Sequence, residues 1–138
     1  DASDKIRSAQ NSPRPFPQKR SSGSMLNSGD VVELDLGAPT GREAGFRHPA
    51  VVVTAQRILD AAPKVVQVVP LTSTNRGFGS EVRIESDPGN GLTDASTAQC
   101  QHIRAVSTAR VDRTIGNIGP APLTQIREIL ALILDTPV

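Results

Sequence analysis

At 138 residues the chain is long enough for one compact domain and too short for two. An aromatic content of 2%, with three Phe and neither Trp nor Tyr, leaves the core to Val, Ile and Leu and argues against recognition of bases by a row of stacking rings. A net charge of +1 gives no general basic field, the single Cys100 excludes an intramolecular disulfide, and two His with one Cys make no zinc constellation. No apolar run reaches the roughly 18 residues that span a bilayer. The start lacks the charged-then-apolar pattern of a signal peptide, so a cytoplasmic protein is expected.

Residues 1–24 (DASDKIRSAQNSPRPFPQKRSSGS) are rich in Ser, Pro, Gln and Arg and have almost nothing apolar to bury, which predicts a disordered tail, a tag or a fused peptide. They carry Lys5, Arg7, Arg14, Lys19 and Arg20 against Asp1 and Asp4, so the remainder is slightly acidic. The folded domain is expected over 25–138, starting near Met25. Val31–Leu36 alternates, with Val32, Leu34 and Leu36 on one face and Val31, Glu33 and Asp35 on the other. Gly37–Gly45 reads as a loop. Ala50–Thr54 reads as a buried strand, Gln56–Ala62 as a helical turn and Val65–Leu71 as the next strand. A polar loop at Thr72–Ser80 leads to a strand at Glu81–Glu85, turns at Asp87–Asp94, and strands at Thr97–Val106 and Arg110–Ile118. The period then changes. Leu123, Ile126, Ile129, Leu130, Ile133 and Leu134 recur at helical spacing, Pro122 suits a first helical turn, and Pro137 ends the segment. Short strands closed by one helix are the predicted outline.

The chain has no Gly-rich phosphate loop, no metal-ligand spacing and no nucleophile elbow. His48 and His102 lie on separate segments, and spacing alone does not bring them together as an acid–base pair. What remains are residues at element boundaries, where a rigid scaffold presents reactive groups. Arg47 follows the Gly-containing loop and precedes the strand at Ala50; Thr72 stands where the strand VVQVVPL ends.

The ordered set Gly29-Asp30-Val31-Val32, Asp35-Leu36, Gly45-Phe46-Arg47-His48-Pro49-Ala50-Val51-Val52-Val53, Val69-Pro70-Leu71-Thr72-Ser73, Glu81-Val82, Gly91-Leu92 and His102-Ile103-Arg104-Ala105-Val106 resembles the MazF/PemK/Kid family of toxins. The resemblance implies a mainly β fold with a C-terminal α-helix, an SH3-like small β-barrel of the MazF/CcdB kind, and a homodimer with RNA along the dimer groove. It implies a metal-independent endoribonuclease that cleaves single-stranded RNA by attack of the 2′-hydroxyl, without a cofactor, and a cognate MazE-like antitoxin as partner. The family's catalytic Arg maps to Arg47 and its catalytic Thr to Thr72. Such residues suit the chemistry: a guanidinium offers planar donors to the charge building on phosphate oxygens, and a nearby hydroxyl adds another.

The family motif has Arg directly before Pro, whereas here His48 intervenes. Either Arg47 keeps its place through a one-residue bulge, or His48 occupies the catalytic slot and brings a different pH profile. Arg47 with Thr72 is the expected catalytic pair, with His48, Ser73, Arg76 and Arg42 in RNA-binding or supporting roles. Thr72 also has a plainer reading, a strand-end hydroxyl bonded to local backbone. His102 and Arg104 read as packing or dimer residues, and Cys100 as a small buried hydrophobe. Two rival functions stand beside the nuclease. One is a topoisomerase-trapping toxin of the CcdB type, which the absence of any Trp weighs against. The other is a catalytically silent interaction module.

Overall fold

The computed structural model describes residues 25–37 and 47–137. The expectations for 1–24 and for the Gly37–Gly45 loop beyond Gly37, Arg42 included, fall outside the described residues. Among the described residues seven strands form one antiparallel sheet: β1 (Asp30–Asp35), β2 (Arg47–Val52), β3 (Val65–Thr72), β4 (Glu81–Ile84), β5 (Ser96–Gln99), β6 (Arg104–Ser107) and β7 (Val111–Asn117). Their spatial order is β4-β5-β3-β2-β1-β7, with β6 beside the first half of β3. The path is open, since no pairing among the described residues joins β4 to β7; the expected barrel is an unclosed sheet. A helical turn, α1 (Gln56–Leu59), links β2 to β3, and α2 (Pro120–Leu134) closes the chain.

Both faces of the central strands are buried, which is why their sequences run apolar without a break. Val31, Val51, Val69 and Leu71 join Leu123, Ile126 and Leu130 of α2 in one cluster. Val32, Leu34, Ala50, Val52, Val66 and Val68 form a second cluster with Leu26, Leu59 and Val106. At roughly 1.5–3 kcal/mol per fully buried aliphatic side chain, these two clusters hold the domain together. Val31, placed by alternation on a polar face, is wholly buried because α2 covers that part of the sheet. Two residues further along the strand, beyond the cover of α2, stands Glu33.

Three other expectations are corrected. The segment Thr97–Val106 is not one strand: Cys100–His102 form a 3₁₀ turn between β5 and β6, with the Ile103 N–H donating to the Cys100 carbonyl at 3.2 Å. The break occurs where β3 exchanges neighbours, pairing through Val68 with β6 and from Leu71 with β5. Pro70, which has no N–H to donate, falls at this changeover. The helix runs from Pro120 to Leu134 with Pro122 in its first turn, as expected, but its buried stripe ends at Leu130: Ile133 and Leu134 are exposed. Finally, β1 and β2 pair in unbroken register from Val31/Val51 to Asp35/Arg47, so β2 contains no bulge.

Candidate active site

A cleft of about 780 Å³ opens where the sheet emerges from under α2. Glu33 of β1, His48 and Pro49 of β2, and Leu71, Thr72 and Ser73 at the end of β3 form part of its lining. The rest of the lining is Gly91–Asp94, Ser96 and Arg113–Ile115 of β7.

The Gly91–Asp94 wall is fixed from inside its own loop. Buried Asn90 accepts from the N–H groups of Asp87 and Leu92 through Oδ1 and donates through Nδ2 to the Glu85 carbonyl at 2.8 Å. The loop then docks on β7 through glycine. A Cβ on Gly91, whose φ is +71°, would lie 2.1 Å from the Ile115 carbonyl oxygen, and one on Gly116 would lie 2.3 Å from the Asn90 carbonyl carbon. Only residues without a side chain allow this approach.

The β7 wall depends on irregular pairing. Against β1, Leu34 pairs with Val111 but Glu33 with Arg113, and Val32 pairs with Thr114 but Val31 with Gly116. Asp112 and Ile115 are therefore extra residues in two bulges. A regular strand turns successive side chains to opposite faces; bulges re-aim them, and here three successive residues, Arg113, Thr114 and Ile115, border one cleft.

Of the residues singled out in the sequence, His48, Thr72 and Ser73 come together in the cleft. Thr72 Oγ1 accepts from the Thr74 N–H at 3.2 Å, the local bond of the plainer reading, and its own O–H remains able to donate. His48 has its pKa lowered, first by burial and then by the positive charge of Arg104, so the imidazole is neutral at neutral pH. Arg47 lies outside the cleft lining. Its guanidinium pairs with Asp112, the extra residue of the first β7 bulge, at 2.5 Å. Without a bulge in β2, adjacent Arg47 and His48 point to opposite faces of the strand and cannot exchange places. Arg76 is exposed on the loop after β3 and does not line the cleft, and Arg42 is outside the described residues.

His102 is exposed in the 3₁₀ turn. Cys100 is fully buried, and burial pushes its thiol up to about 11, leaving it protonated and inert. Among the described residues no group of His, Cys, Asp and Glu is arranged to hold a metal ion, and no helix is long and apolar enough to cross a membrane. The sequence reading missed Glu33 and Arg113. Their cross-strand pairing follows from bulges that leave no mark in composition or periodicity.

Comparison with known proteins agrees with this architecture. Residues 27–134 match the family described as PemK-like, MazF-like toxin of type II toxin–antitoxin system. Over 115 residues the chain is 35% identical to Endoribonuclease MazF9 of Mycobacterium tuberculosis, with 80% of this chain and 98% of that protein aligned. The fold is similar to MazF in a MazE–MazF crystal structure from Deinococcus radiodurans (TM-score 0.67, 21% identity, 82% of this chain and 98% of that one). It is also similar to the Mycobacterium tuberculosis toxin MazF-mt6 (TM-score 0.62, 21% identity, 79% of this chain and 99% of that one). The chain therefore belongs to the PemK/MazF toxin family. Within it, the chain is a MazF-like endoribonuclease toxin of a toxin–antitoxin system.

Proposed function

We propose that the chain cuts single-stranded RNA in this cleft, at sequence-defined sites where unpaired bases leave their edges readable. The observation that carries the reading is the convergence of His48, Thr72 and Ser73 on one cleft in a chain of this family. In the reaction the 2′-oxygen attacks phosphorus and the bond from phosphorus to the 5′-oxygen breaks. The products are a 2′,3′-cyclic phosphate and a 5′-hydroxyl. Neutral His48 takes the 2′-hydroxyl proton, and the leaving 5′-oxygen takes one from solvent in the open cleft. The hydroxyls of Thr72 and Ser73 donate to the phosphate oxygens, each such donor being worth about 2.7–4 kcal/mol in comparable sites. Arg47, half exposed and held by Asp112, supplies a further positive charge once the substrate phosphate competes for it. Charge is then handled by side chains, and the reaction runs without a metal ion.

The partners follow the same reading. A MazE-like antitoxin silences the cleft with a flexible segment that folds on binding. The toxin works as a homodimer, which the exposed Leu132, Ile133 and Leu134 of α2 favour. Its place is the cytoplasm, where the RNA is. The topoisomerase-trapping alternative has no support in the cleft.

The test is cleavage of a long end-labelled RNA in EDTA by the full chain and its His48→Ala, Arg47→Ala and Thr72→Ala variants, with the ends identified chemically. Cuts at a recurring short motif, with cyclic phosphate ends and loss in the His48 and Thr72 variants, are expected. If wild-type protein that is folded leaves the RNA intact, the reading fails.

A further inference from the structure

The cleft holds a cation that the cleavage chemistry above does not use. Arg113 pairs across strands with Glu33, its Nε donating to Glu33 Oε1 at 3.0 Å. Among the described residues its two Nη groups make no hydrogen bond. The side chain is 65% exposed, while that of Glu33 is 29% exposed. The carboxylate thus anchors one edge of the guanidinium and leaves its outer edge directed away from the pair. That edge offers donors in the planar arrangement that suits a phosphate. The bulges at Asp112 and Ile115 stand on either side of this residue pair. Bulges that re-aim a side chain cluster beside functional sites, whereas an ordinary surface ion pair between strands needs none.

Position says which phosphate. From Thr72 on β3 to Arg113 on β7 the sheet steps through β2 and β1. Three spacings of roughly 4.8 Å make a path of about 14 Å along the sheet between the two strands. Tethered through Nε to Glu33, Arg113 stands on the β1–β7 side of the cleft, three strands from Thr72.

We propose that Arg113 binds a non-scissile phosphate of the RNA strand, with Glu33 as the residue that positions it. The proposal rests on the reading of the cleft as the RNA site. Arg113 then sets how the strand lies and how strongly it binds, and it takes no part in bond breaking.

The test uses the full chain and a short oligoribonucleotide spanning a mapped cut, with a 2′-deoxy sugar at the cleaved position so that it binds without reacting. Arg113→Ala should weaken its binding about tenfold, and the slope of log affinity against log salt should fall by about 0.7, as for one lost contact to a single strand. On cleavable RNA, KM should rise by a similar factor with kcat changed less than about twofold. Arg113→Lys should keep the salt slope and lose part of the affinity. Neutral methylphosphonate linkages, placed one at a time, identify the partner. One linkage away from the cut should weaken wild-type binding and have no further effect in Arg113→Ala, or in Arg113→Lys a reduced one if the alanine variant does not fold. Equal affinity and salt slope in wild type and Arg113→Ala would overturn the proposal, and so would every non-scissile linkage acting equally in wild type and the folded variant. Either result leaves the nuclease reading intact if Thr72→Ala and His48→Ala still abolish cleavage. Absence of cleavage by wild type would strike that reading instead.

Discussion

β2 and β7 border the same cleft under different rules. β2 keeps a continuous register with β1, so each residue's face follows from its position: Arg47 takes the face of Pro49, and His48 that of Ala50. β7 slips twice against β1, and the two extra residues do separate work. Asp112 reaches Arg47, while Ile115 supplies the carbonyl against which Gly91 packs. A regular strand thus fixes the face each residue takes, and an irregular one shapes the wall around the cleft. The first bulge in β7 also explains why Arg47 meets a carboxylate: it adds Asp112, which pairs with the guanidinium.

The strongest challenge to this contrast is a comparison of the two neighbours on β2. His48→Ala should lower kcat/KM by about 10²- to 10⁴-fold, the span of a lost general base. Arg47→Ala should lower it less. A larger loss from Arg47 would mean that its charge, and not a base at His48, carries most of the catalysis, and rate measurements on the two variants decide it.

On the β7 side, Gly91→Ala combines a left-handed φ with a backbone collision. It should destabilise the fold by about 2–5 kcal/mol, read from denaturant unfolding. A near-neutral result would show that the loop is not locked to β7.

A third measurement concerns pH. In the proposed reaction His48 is the neutral base, and its pKa is lowered from 6.5, so kcat/KM should be flat above about pH 6.5. It should fall with unit slope as pH drops through the lower folded value, where the imidazole takes up a proton. Arg104→Gln removes the secondary cause of the lowering and should move this limb to higher pH. An unmoved limb would separate His48 from the reaction or from Arg104.

The smallest effect is expected at the link between the two strands. Arg47 and Asp112 are both about half exposed, so Asp112→Asn should cost less than about 1 kcal/mol of stability. Its effect on cleavage reports whether Arg47 must be held ready. Faster cleavage would mark the pair as a brake, and slower cleavage as a guide.

Much of the fold was legible in the chain because its strands follow simple periodicities. Val65–Leu71 and Glu81–Glu85 lie within one residue of β3 and β4, and the helical stripe from Leu123 to Leu130 packs on the sheet as its spacing requires. The 3₁₀ break at Cys100–His102 was not legible, because Cys100 is as apolar as a strand residue and the turn serves a change of partners elsewhere in the sheet. Thr72 and Ser73 were found from their place at a strand end, and the structure brings both to the cleft. That His48 lines the cleft while Arg47 meets Asp112 needed the pairing of β1, β2 and β7. Arg113 could not be placed at all without the bulges.

By itself, then, the sequence determined what depends on local order: which segments are strands, where the closing helix lies, and which family motif the loops and strand ends compose. These follow from side-chain period and turn chemistry, which act between residues close in the chain. The tertiary structure decided what depends on pairing between distant segments: that the sheet stays open, that His48 and not Arg47 borders the cleft, and that Glu33 holds Arg113 beside it. Register and bulges arise from the fit of one strand against another, and no residue carries that fit alone.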